Sequence, residues 1–357
     1  MEGAGGGTLL SGGAFFCGEA VTVLVTVAVT SAGAEERGRR IRPMALTRTQ
    51  MDRFEASMPR LEAIAYRLLG SASDAEDAVQ DTFLRWQAAD IDRIEVPEAW
   101  LTKVLTNLCL NQLTSARVRR ESYVGQWLPE PLLAGDPMLG PADTAEQRES
   151  VSYAVLVLME RLTPNERVVY VLREAFDYPH RRIAEILDIT EASCQQIFHR
   201  AKKHVAEGKA RTEIDEAAAR RIVEEFLTAA TSGQTEPLVR LLTTDVVAVG
   251  DGGGKVPART KALQGAVAVA RFMRGLFKPG QAKRDLVGGS PEIHLTTANG
   301  APAILVVLDG RVIGVLCVEV TPEGIAGLRS QANPDKLERA TRRWAATDHG
   351  EPLLHAF

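Results

Sequence analysis

The sequence is short of cysteine, of net charge and of long hydrophobic runs. Its four cysteines are widely separated, at Cys17, Cys109, Cys194 and Cys317. No CxxC pair or Cys/His cluster is present, so the sequence has neither a zinc motif nor a disulfide framework, and we expect no metal and no cofactor. Isolated thiols fit the reducing cytoplasm, where we expect the protein to act. The net charge is only −4, so any nucleic-acid-binding surface must be local.

The longest apolar stretch, AFFCGEAVTVLVTVAVT at residues 14–30, lacks the features of a targeting or membrane segment. It is shorter than the ~20 residues that span a bilayer, and Glu19 interrupts it. Basic residues follow it, whereas a signal peptide has them in front. A membrane anchor is the alternative. We expect no membrane partner, and we expect residues 1–43 to be a disordered extension or to lie upstream of the true start at Met44.

Composition divides the chain into segments, in keeping with about two to three domains at roughly 150 residues each. The predicted segments are a helical module at 44–121, a Pro-rich linker at 122–146, a second helical module at 147–210, a mixed domain at 212–331 and a tail at 332–357. Gly70 is predicted to end the first helix, and Ser73 or Asp74 to cap the second. Because a plain spacer has no use for Trp127, we expect the linker to be ordered and docked.

The mixed domain combines helical and strand patterns. An amphipathic helix is predicted within residues 214–233, and a second helix over about 260–277. Two β-rich runs follow, joined by Asp309-Gly310, which is a strong hairpin signal. Helices followed by an antiparallel hairpin predict an α+β fold.

A helix-turn-helix pattern occupies residues 178–205, with Thr190 predicted to cap its second helix. The polar face of that helix consists of Ser193, Gln195, Gln196, His199, Arg200, Lys202 and Lys203. Gln and Arg read base edges and Lys holds phosphate. Residues 195–211 hold five Lys or Arg against one acid, so a local basic surface for DNA lies here. The alternative is an ordinary helical hairpin with a solvated face, and Asp188 stands in the turn where such motifs often have glycine.

Over about residues 47–207 the chain resembles an extracytoplasmic-function (ECF) sigma factor. DAEDAVQDTFLRW resembles the region 2 helix that docks on the RNA polymerase clamp. PEAWLTKVLTNLCLNQLTSARVRRE resembles the segment that melts and reads the promoter −10 element, and LTPNERVVYVLREAFDYPHRRIAEIL with the helix after it resembles region 4, which reads the −35 element. The resemblance implies core RNA polymerase, at its clamp and flap, and promoter DNA as partners.

The resemblance also assigns residues to these contacts. Expected polymerase-binding residues are Asp74, Asp77, Gln80, Asp81 and Arg85. An acidic helix face suits a protein partner and repels DNA. Expected −10 contacts are Lys103, Asn107, Asn111, Gln112, Arg117, Arg119 and Arg120, and the polar helix face described above is expected at the −35 element. Such residues supply the polar and phosphate contacts that flipped bases need, although the acid that the family often has near Asn111 is missing.

About 150 residues continue beyond region 4 and resemble the SnoaL-like, cone-shaped fold of the NTF2-like superfamily. One sigma subgroup, ECF41, carries such a tail with three signatures, which stand here as WLPEP at 127–131, DGGGK at 251–255 and NPDKL at 333–337. In that subgroup the tail contacts the sigma core and tunes its activity. The regulatory interface implied with region 2 and the linker comprises Trp127, Leu128, Pro129, Asp251, Gly252, Gly253, Gly254, Lys255, Asn333, Pro334, Asp335, Lys336 and Leu337, with Trp127 as apolar anchor.

The glycine run also invites comparison with a phosphate-binding Walker loop. That loop requires Gly-x4-Gly-Lys-Ser/Thr, but Val249 and Val256 stand at its first glycine and hydroxyl positions. Consecutive glycines instead permit positive φ and close backbone approach. We therefore expect Asp251 and Lys255 to project towards the linker and region 2, with a flexible solvent loop as the alternative.

The sequence thus predicts a multidomain protein with two all-α sigma modules, a region 2 helical bundle and a region 4 helix-turn-helix, followed by an α+β NTF2/SnoaL-like cone domain. We expect an alternative sigma factor tuned by its own C-terminal domain, and not an enzyme. The alternatives are a SnoaL-like enzyme or small-molecule sensor fused to a DNA-binding module, and a helix-turn-helix repressor without polymerase contact. Catalytic candidates are Asp245, Asp251 and His294, which show no convincing dyad spacing.

Overall fold

A computed structural model describes residues 46–121, 123–141, 144–207, 214–259, 261–278 and 280–356. The extension predicted at residues 1–43 and the start predicted at Met44 lie outside these described residues. Among the described residues, no helix combines the length and apolar character that crossing a membrane requires. The same part of the chain holds no group of His, Cys, Asp or Glu side chains placed to bind a metal ion.

The first helical module consists of α1 (Arg48–Leu69), α2 (Ala72–Ala88) and α3 (Pro97–Glu121), with a 3-10 turn at Ile91–Arg93. Thr47 and Gln50 form a capping box at the start of α1. Gly70 ends this helix in the left-handed conformation, with φ of 68°. The N-cap of α2 is Ser71, so the prediction of Ser73 or Asp74 was wrong, because the turn at Gly70 is tight enough to start the next helix at once.

The second helical module consists of α4 (Ala145–Ser150), α5 (Tyr153–Met159), α6 (Pro164–Glu174), α7 (His180–Leu187) and α8 (Glu191–Glu207). The predicted helix-turn-helix is α7 and α8. Asp188 ends α7 in the left-handed conformation, with φ of 53°, which glycine adopts at lower cost. Thr190 accepts a hydrogen bond from the Ser193 amide at the start of α8, which is the cap that the sequence predicted.

The two helical modules bury one continuous hydrophobic core. A single cluster joins Leu101 and Cys109 of α3 to Val171 of α6 and Ile183 of α7, and all four side chains are fully buried. Separating the modules would therefore expose apolar surface to water, which opposes separation.

The C-terminal domain is a seven-stranded sheet with helices on both faces. Its helices are α9 (Glu216–Thr231), α10 (Glu236–Leu241), α11 (Ala266–Phe277), α12 (Gln281–Val287) and α13 (Glu338–Ala345). Its strands are β1 (Leu242–Asp251), β2 (Leu263–Gln264), β3 (Glu292–Ala298), β4 (Ala301–Leu308), β5 (Arg311–Thr321), β6 (Gly324–Gln331) and β7 (Leu354–His355). The strand order is β2-β1-β6-β5-β4-β3-β7, and β1 and β6 are parallel whereas the other neighbours are antiparallel.

This architecture confirms the predicted α+β class, and Asp309-Gly310 joins β4 to β5 as predicted. The helix expected over 260–277 begins later, at Ala266. Residues 332–357, set apart as a tail by their sequence, add α13 and the edge strand β7 to the domain.

Different parts of the chain cover the two faces of the sheet. Helices α9, α10 and α11 cover one face, where Phe226 and Leu316 belong to the core. The linker, α5 and α13 cover the other face, through Leu128, Tyr153 and Trp344. The linker and the second helical module thus complete the hydrophobic core of the C-terminal domain.

Replacing Leu128 with alanine tests whether the linker is a structural part of this domain. Leu128 is 2% exposed and packs under the sheet, so Leu128→Ala should lower the free energy of unfolding by about 2–4 kcal/mol, measured by urea unfolding. The matched control is Leu286→Ala at a leucine that is 67% exposed, which should change it by less than about 0.5 kcal/mol. Equally small effects of both substitutions would contradict the packing role.

Candidate functional site

Asp251 lies at the centre of a buried polar cluster between the sheet and the linker. It ends β1 and is 1% exposed. Its carboxylate accepts hydrogen bonds from the Tyr123 hydroxyl at 2.6 Å, the Leu128 amide at 2.9 Å and the Lys336 ammonium at 2.7 Å. Burial by itself would raise the pKa of Asp251, but Lys336 and the other donors outweigh it and hold the pKa below its ordinary value. Asp251 and Lys336 therefore form a buried ion pair at neutral pH.

Lys336 joins this ion pair to the linker. Its ammonium also donates to the Leu128 carbonyl at 2.7 Å. It lies 4.1 Å from the ring centroid of Trp127 and 4.9 Å from that of Tyr123, which are cation–π distances. Trp127 is half-buried whereas Leu128 is buried. The ring of Trp127 lies between the buried Lys336 of the C-terminal domain and Gly70 at the end of α1, and Leu128 adds a fully buried apolar contact beside it.

The glycines of DGGGK allow a tight backbone turn and a close approach by a neighbouring segment. Gly253 and Gly254 have φ of 61° and 72°, and a Cβ at Gly253 would collide with the Asn333 amide. Asn333 in turn donates to the Tyr123 hydroxyl at 2.9 Å. Three separate signatures thus meet at one place in the structure, where Leu128 of WLPEP and Lys336 of NPDKL both bind Asp251 of DGGGK.

Lys255 does not reach the linker. Its ammonium pairs with the carboxylate of Asp335 at 2.6 Å, and both side chains are more than half exposed. This ion pair lies within the C-terminal domain, so the expectation that Lys255 projects towards the linker and region 2 was wrong. An exposed pair of this kind contributes little to stability.

A second buried cluster, which the sequence did not reveal, centres on Asn299 in the turn between β3 and β4. Asn299 is 1% exposed. Its Oδ1 accepts from the Leu132 amide at 3.0 Å, and its Nδ2 donates to the Tyr66 hydroxyl at 2.8 Å and the Val151 carbonyl at 3.1 Å. Leu132 is in the linker, Tyr66 is in α1, and Val151 precedes α5. One side chain therefore joins the C-terminal domain to the linker and to both helical modules.

Helix α13 makes a third contact, through Arg339. The guanidinium donates to the two carboxylate oxygens of Asp136 in the linker, at 2.7 and 2.8 Å, and also pairs with Glu76 of α2. Bidentate pairs of this kind combine energy with fixed orientation. The C-terminal domain thus contacts the first helical module at α2 as well as at α1.

The residues predicted to bind polymerase lie along one side of α2. Asp77, Gln80, Asp81 and Arg85 are exposed, and Asp74 is half-buried. Leu84 lies among them and is 53% exposed. The face is therefore acidic with an apolar centre, which suits a protein partner.

The predicted −35 residues of α8 share one exposed surface. Exposed side chains there are Ser193, Gln195, Gln196, His199, Arg200, Lys202 and Lys203. Lys202 pairs with Glu174 of α6 at 2.9 Å, and the side chains of Gln195 and Gln196 are exposed to solvent. The arrangement offers both hydrogen-bonding and cationic groups to a duplex.

The predicted −10 residues of α3 lie in several environments. The Lys103 ammonium donates to the Glu185 carbonyl at 2.8 Å and pairs with Asp188 at 3.1 Å, so it contacts the helix-turn-helix itself. Asn107 and Gln112 are half-buried, and Asn111 is exposed. The side chains of Arg117, Arg119 and Arg120 lie outside the described residues.

The catalytic candidates do not converge. Asp245 is exposed on β1, and Asp251 of the same strand is engaged by the linker. His294 is 6% exposed on β3, 3.3 Å from Glu292 and packed against the Trp344 ring. Three strands separate β1 from β3, which is about 19 Å at the usual spacing. The structure therefore brings neither aspartate to His294.

Two family models match the helical modules. Sigma-70 region 2 matches residues 53–119, and Sigma-70 region 4 matches residues 152–205. These ranges contain the acidic face of α2 and the helix-turn-helix of α7 and α8, respectively.

Similar proteins extend the comparison over the C-terminal domain. The ECF RNA polymerase sigma factor SigJ of Mycobacterium tuberculosis strain H37Rv is 36% identical over 298 residues, which are 81% of this chain and 93% of SigJ. A probable ECF RNA polymerase sigma factor SigI of the same species is 28% identical, over 77% of this chain and 90% of SigI. The crystal structure of M. tuberculosis SigJ aligns with a TM-score of 0.62 at 33% identity, covering 80% of this chain and 97% of that one. With these matches and the two helical modules, this chain belongs to the ECF RNA polymerase sigma factor family.

Proposed function

We propose that this sigma factor directs core RNA polymerase to promoters through regions 2 and 4, and that its C-terminal domain holds these regions in a closed arrangement. The observation that carries the proposal is the continuity of buried contacts between the domain and both sigma regions. The single side chain of Asn299 forms hydrogen bonds with the linker, with α1 and with the segment before α5. The acidic face of α2 would contact the polymerase clamp, and region 4 would contact the flap while α8 enters the major groove.

The closed arrangement is too small to engage both promoter elements. Their positions differ by about 25 base pairs, which is about 85 Å at 3.4 Å per base pair. A compact unit of the roughly 160 residues from the start of α1 to the end of α8 has a radius of gyration of about 15 Å and is therefore roughly 40 Å across. Regions 2 and 4 share one core in this structure, so they would have to separate before both elements are bound.

In the closed arrangement, region 4 also occupies part of the surface assigned to the −10 element. Lys103 is bound to Asp188 and to the Glu185 carbonyl. While it is paired in this way, Lys103 is less available to a DNA phosphate. The carboxylate of Asp188 would take the place of that phosphate, which would account for aspartate at a turn position that favours glycine.

Buried charges at the junction would favour its opening. Arg67 is fully buried and donates to the Ser150 hydroxyl and to the Ala63 and Leu139 carbonyls. Burial lowers the pKa of Arg67 to about 10 and that of Arg167 to about 9. Opening would return these guanidinium groups to water, where charged groups are more stable. The cost of burying these guanidinium groups would offset part of the hydrophobic stabilisation of the junction, so the contacts of the C-terminal domain would add to what keeps it closed.

Run-off transcription with core polymerase tests the proposed function. The full chain should support promoter-specific transcripts, and promoters altered in either the −10 or the −35 element should lose them. Failure of the purified chain to bind core polymerase would contradict the proposal. A SnoaL-like enzyme would instead show substrate turnover that is independent of polymerase.

Asn299→Gly tests the closing role of the C-terminal domain. Glycine keeps the positive φ of 51° at this turn but removes the three side-chain hydrogen bonds, which should shift the equilibrium towards the open arrangement by about 1–3 kcal/mol, or about 5- to 150-fold. Transcription at limiting protein concentration should rise, and so should protease cleavage in the linker.

The matched control is Asp309→Gly, because Asp309 has φ of 50° in an exposed hairpin turn. It should leave both measurements unchanged. If Asn299→Gly behaves like this control, the proposed closing contact is wrong.

Asp188→Asn and Asp188→Gly test the contact between Lys103 and the helix-turn-helix. Both substitutions remove the carboxylate and should raise promoter affinity by up to about 5-fold, since an exposed ion pair contributes at most about 1 kcal/mol. The gain should vanish at high salt, measured by DNA-binding titrations of the holoenzyme. A gain with glycine but not with asparagine would indicate turn geometry and contradict the electrostatic explanation.

A further inference from the structure

The C-terminal domain carries a concentrated basic surface that the closing contacts do not use. Residues 259–285 contain seven Lys or Arg and one acid, Asp285, although the whole chain has a net charge of −4. We define the α11 surface by four exposed cations, Arg259, Lys261, Arg271 and Lys278. Such a concentration of one sign on one segment indicates a polyanionic partner.

Other basic side chains of this segment hold the surface together. Arg274 donates to the Thr235 hydroxyl at 2.9 Å. Lys283 of α12 donates to the Lys278 carbonyl at 2.7 Å and the Leu276 carbonyl at 3.1 Å, at the end of α11. These contacts fix α11 to α10 and α12, so the α11 surface has a stable shape.

Two of the outward cations lie on one side of α11. Arg271 is within the helix and Lys278 is the capping residue just after its end, so their separation of seven residues places them about two turns apart on the same side. The guanidinium of Arg259 lies over the Phe272 ring at 5.4 Å, which brings the segment before β2 alongside this helix. Within the described part of the chain, neither Arg271 nor Lys278 has an ion-pair partner.

The α11 surface remains accessible in the closed arrangement. Helix α11 covers one face of the sheet together with α9 and α10, whereas the linker, α5 and α13 cover the opposite face. The contacts of Asn299 and Arg339 lie on that opposite face, and the four cations are exposed, so a partner could bind them before or after regions 2 and 4 separate.

The chain connection keeps the C-terminal domain near any DNA that α8 binds. Helix α8 ends at Glu207 and α9 begins at Glu216, so eight residues join the recognition helix to the C-terminal domain. Eight residues span at most about 29 Å. Whenever α8 occupies the major groove, the start of α9 must lie within that reach of the end of α8, which keeps the C-terminal domain near a duplex that carries about one phosphate charge per 1.7 Å of its axis.

We propose that the α11 surface binds the phosphate backbone of the promoter duplex next to the −35 element. The contact would add affinity without reading sequence, since cations of this kind pair with phosphates and not with base edges. This inference rests on the proposed binding of the −35 element by α8. It gives the C-terminal domain a positive role in promoter binding that is separate from its closing contacts.

The salt dependence of promoter binding by the complete holoenzyme tests the inference. For Arg271→Ala/Lys278→Ala, the slope of log Kobs against log salt should become less steep by about 1.8, since each phosphate contact contributes about 0.9. Affinity should fall by the same factor for promoters that differ in sequence upstream of the −35 element. The charge-preserving swap Arg271→Lys/Lys278→Arg and the distant Arg311→Ala should leave the slope unchanged, and a thermal melt checks that each variant is folded.

Each outcome separates this inference from the sigma function. If wild-type holoenzyme binds the promoter and the double variant keeps its slope, the inference is wrong and the sigma function stands. If wild-type holoenzyme fails to bind at all, the proposed function itself is wrong.

Binding to phosphatidylserine vesicles tests a membrane as the alternative partner, because Val267 and Leu286 are also exposed and basic surfaces with apolar residues also bind membranes. If the double variant loses vesicle binding while its salt slope for promoter binding is unchanged, the surface binds a membrane and the inference is wrong.

Discussion

The sheet of the C-terminal domain has an apolar face that its own α9, α10 and α11 do not cover, and the rest of the architecture depends on how that face is buried. Leu128 and Leu133 of the linker and Tyr153 of α5 pack on it. Since the linker follows region 2 and α5 opens region 4, burying this face fixes both sigma regions at once. Hydrophobic burial stabilises this packing, and the polar contacts around it fix the position of the linker and the sigma regions on the sheet.

The polar contacts are costly to disrupt one at a time. Asp251 and Lys336 are desolvated together, and removing one partner of such a pair leaves an uncompensated buried charge. The Asn299 side chain forms hydrogen bonds with groups on three segments. These groups lose their hydrogen-bond partner together when the turn between β3 and β4 moves away. A junction built in this way should open as a unit, which is the behaviour that a switch between two arrangements requires.

The two roles assigned to the C-terminal domain act on different faces of one sheet. In the proposed account, one face closes regions 2 and 4 against each other, and the basic surface on the other face contacts the duplex once α8 is bound. Regulation by such a domain would then depend on the balance between a closing contact within the chain and a phosphate contact outside it. The closing contact and the phosphate contact differ in their salt dependence, because buried pairs are screened much less than exposed cations.

Local signals in the sequence were enough to predict the helices, the cap at Thr190 and the Asp309-Gly310 hairpin. They also predicted which faces of α2 and α8 are apolar and which are polar. The three signatures indicated a meeting place only through the family resemblance. Asn299, Arg339 and the pairing of Lys103 with Asp188 join residues far apart in the chain, and no periodicity or spacing encodes such contacts. The Asn299-Gly300 dipeptide indicates a turn, but its burial depends on Tyr66 and Val151, which only the folded chain brings there. Lys255 was misplaced for the same reason, since its pairing with Asp335 is set by tertiary packing.

The most direct test of the closed arrangement is the distance between region 2 and region 4, measured by pulsed dipolar spectroscopy. Spin labels at Arg53→Cys in α1 and Ala206→Cys in α8 use positions that are exposed. The account predicts one short distance in the free chain and a distance longer by about 40 Å when the holoenzyme binds a promoter with both elements, given their separation of about 25 base pairs. The same distance in the free and promoter-bound states would contradict it.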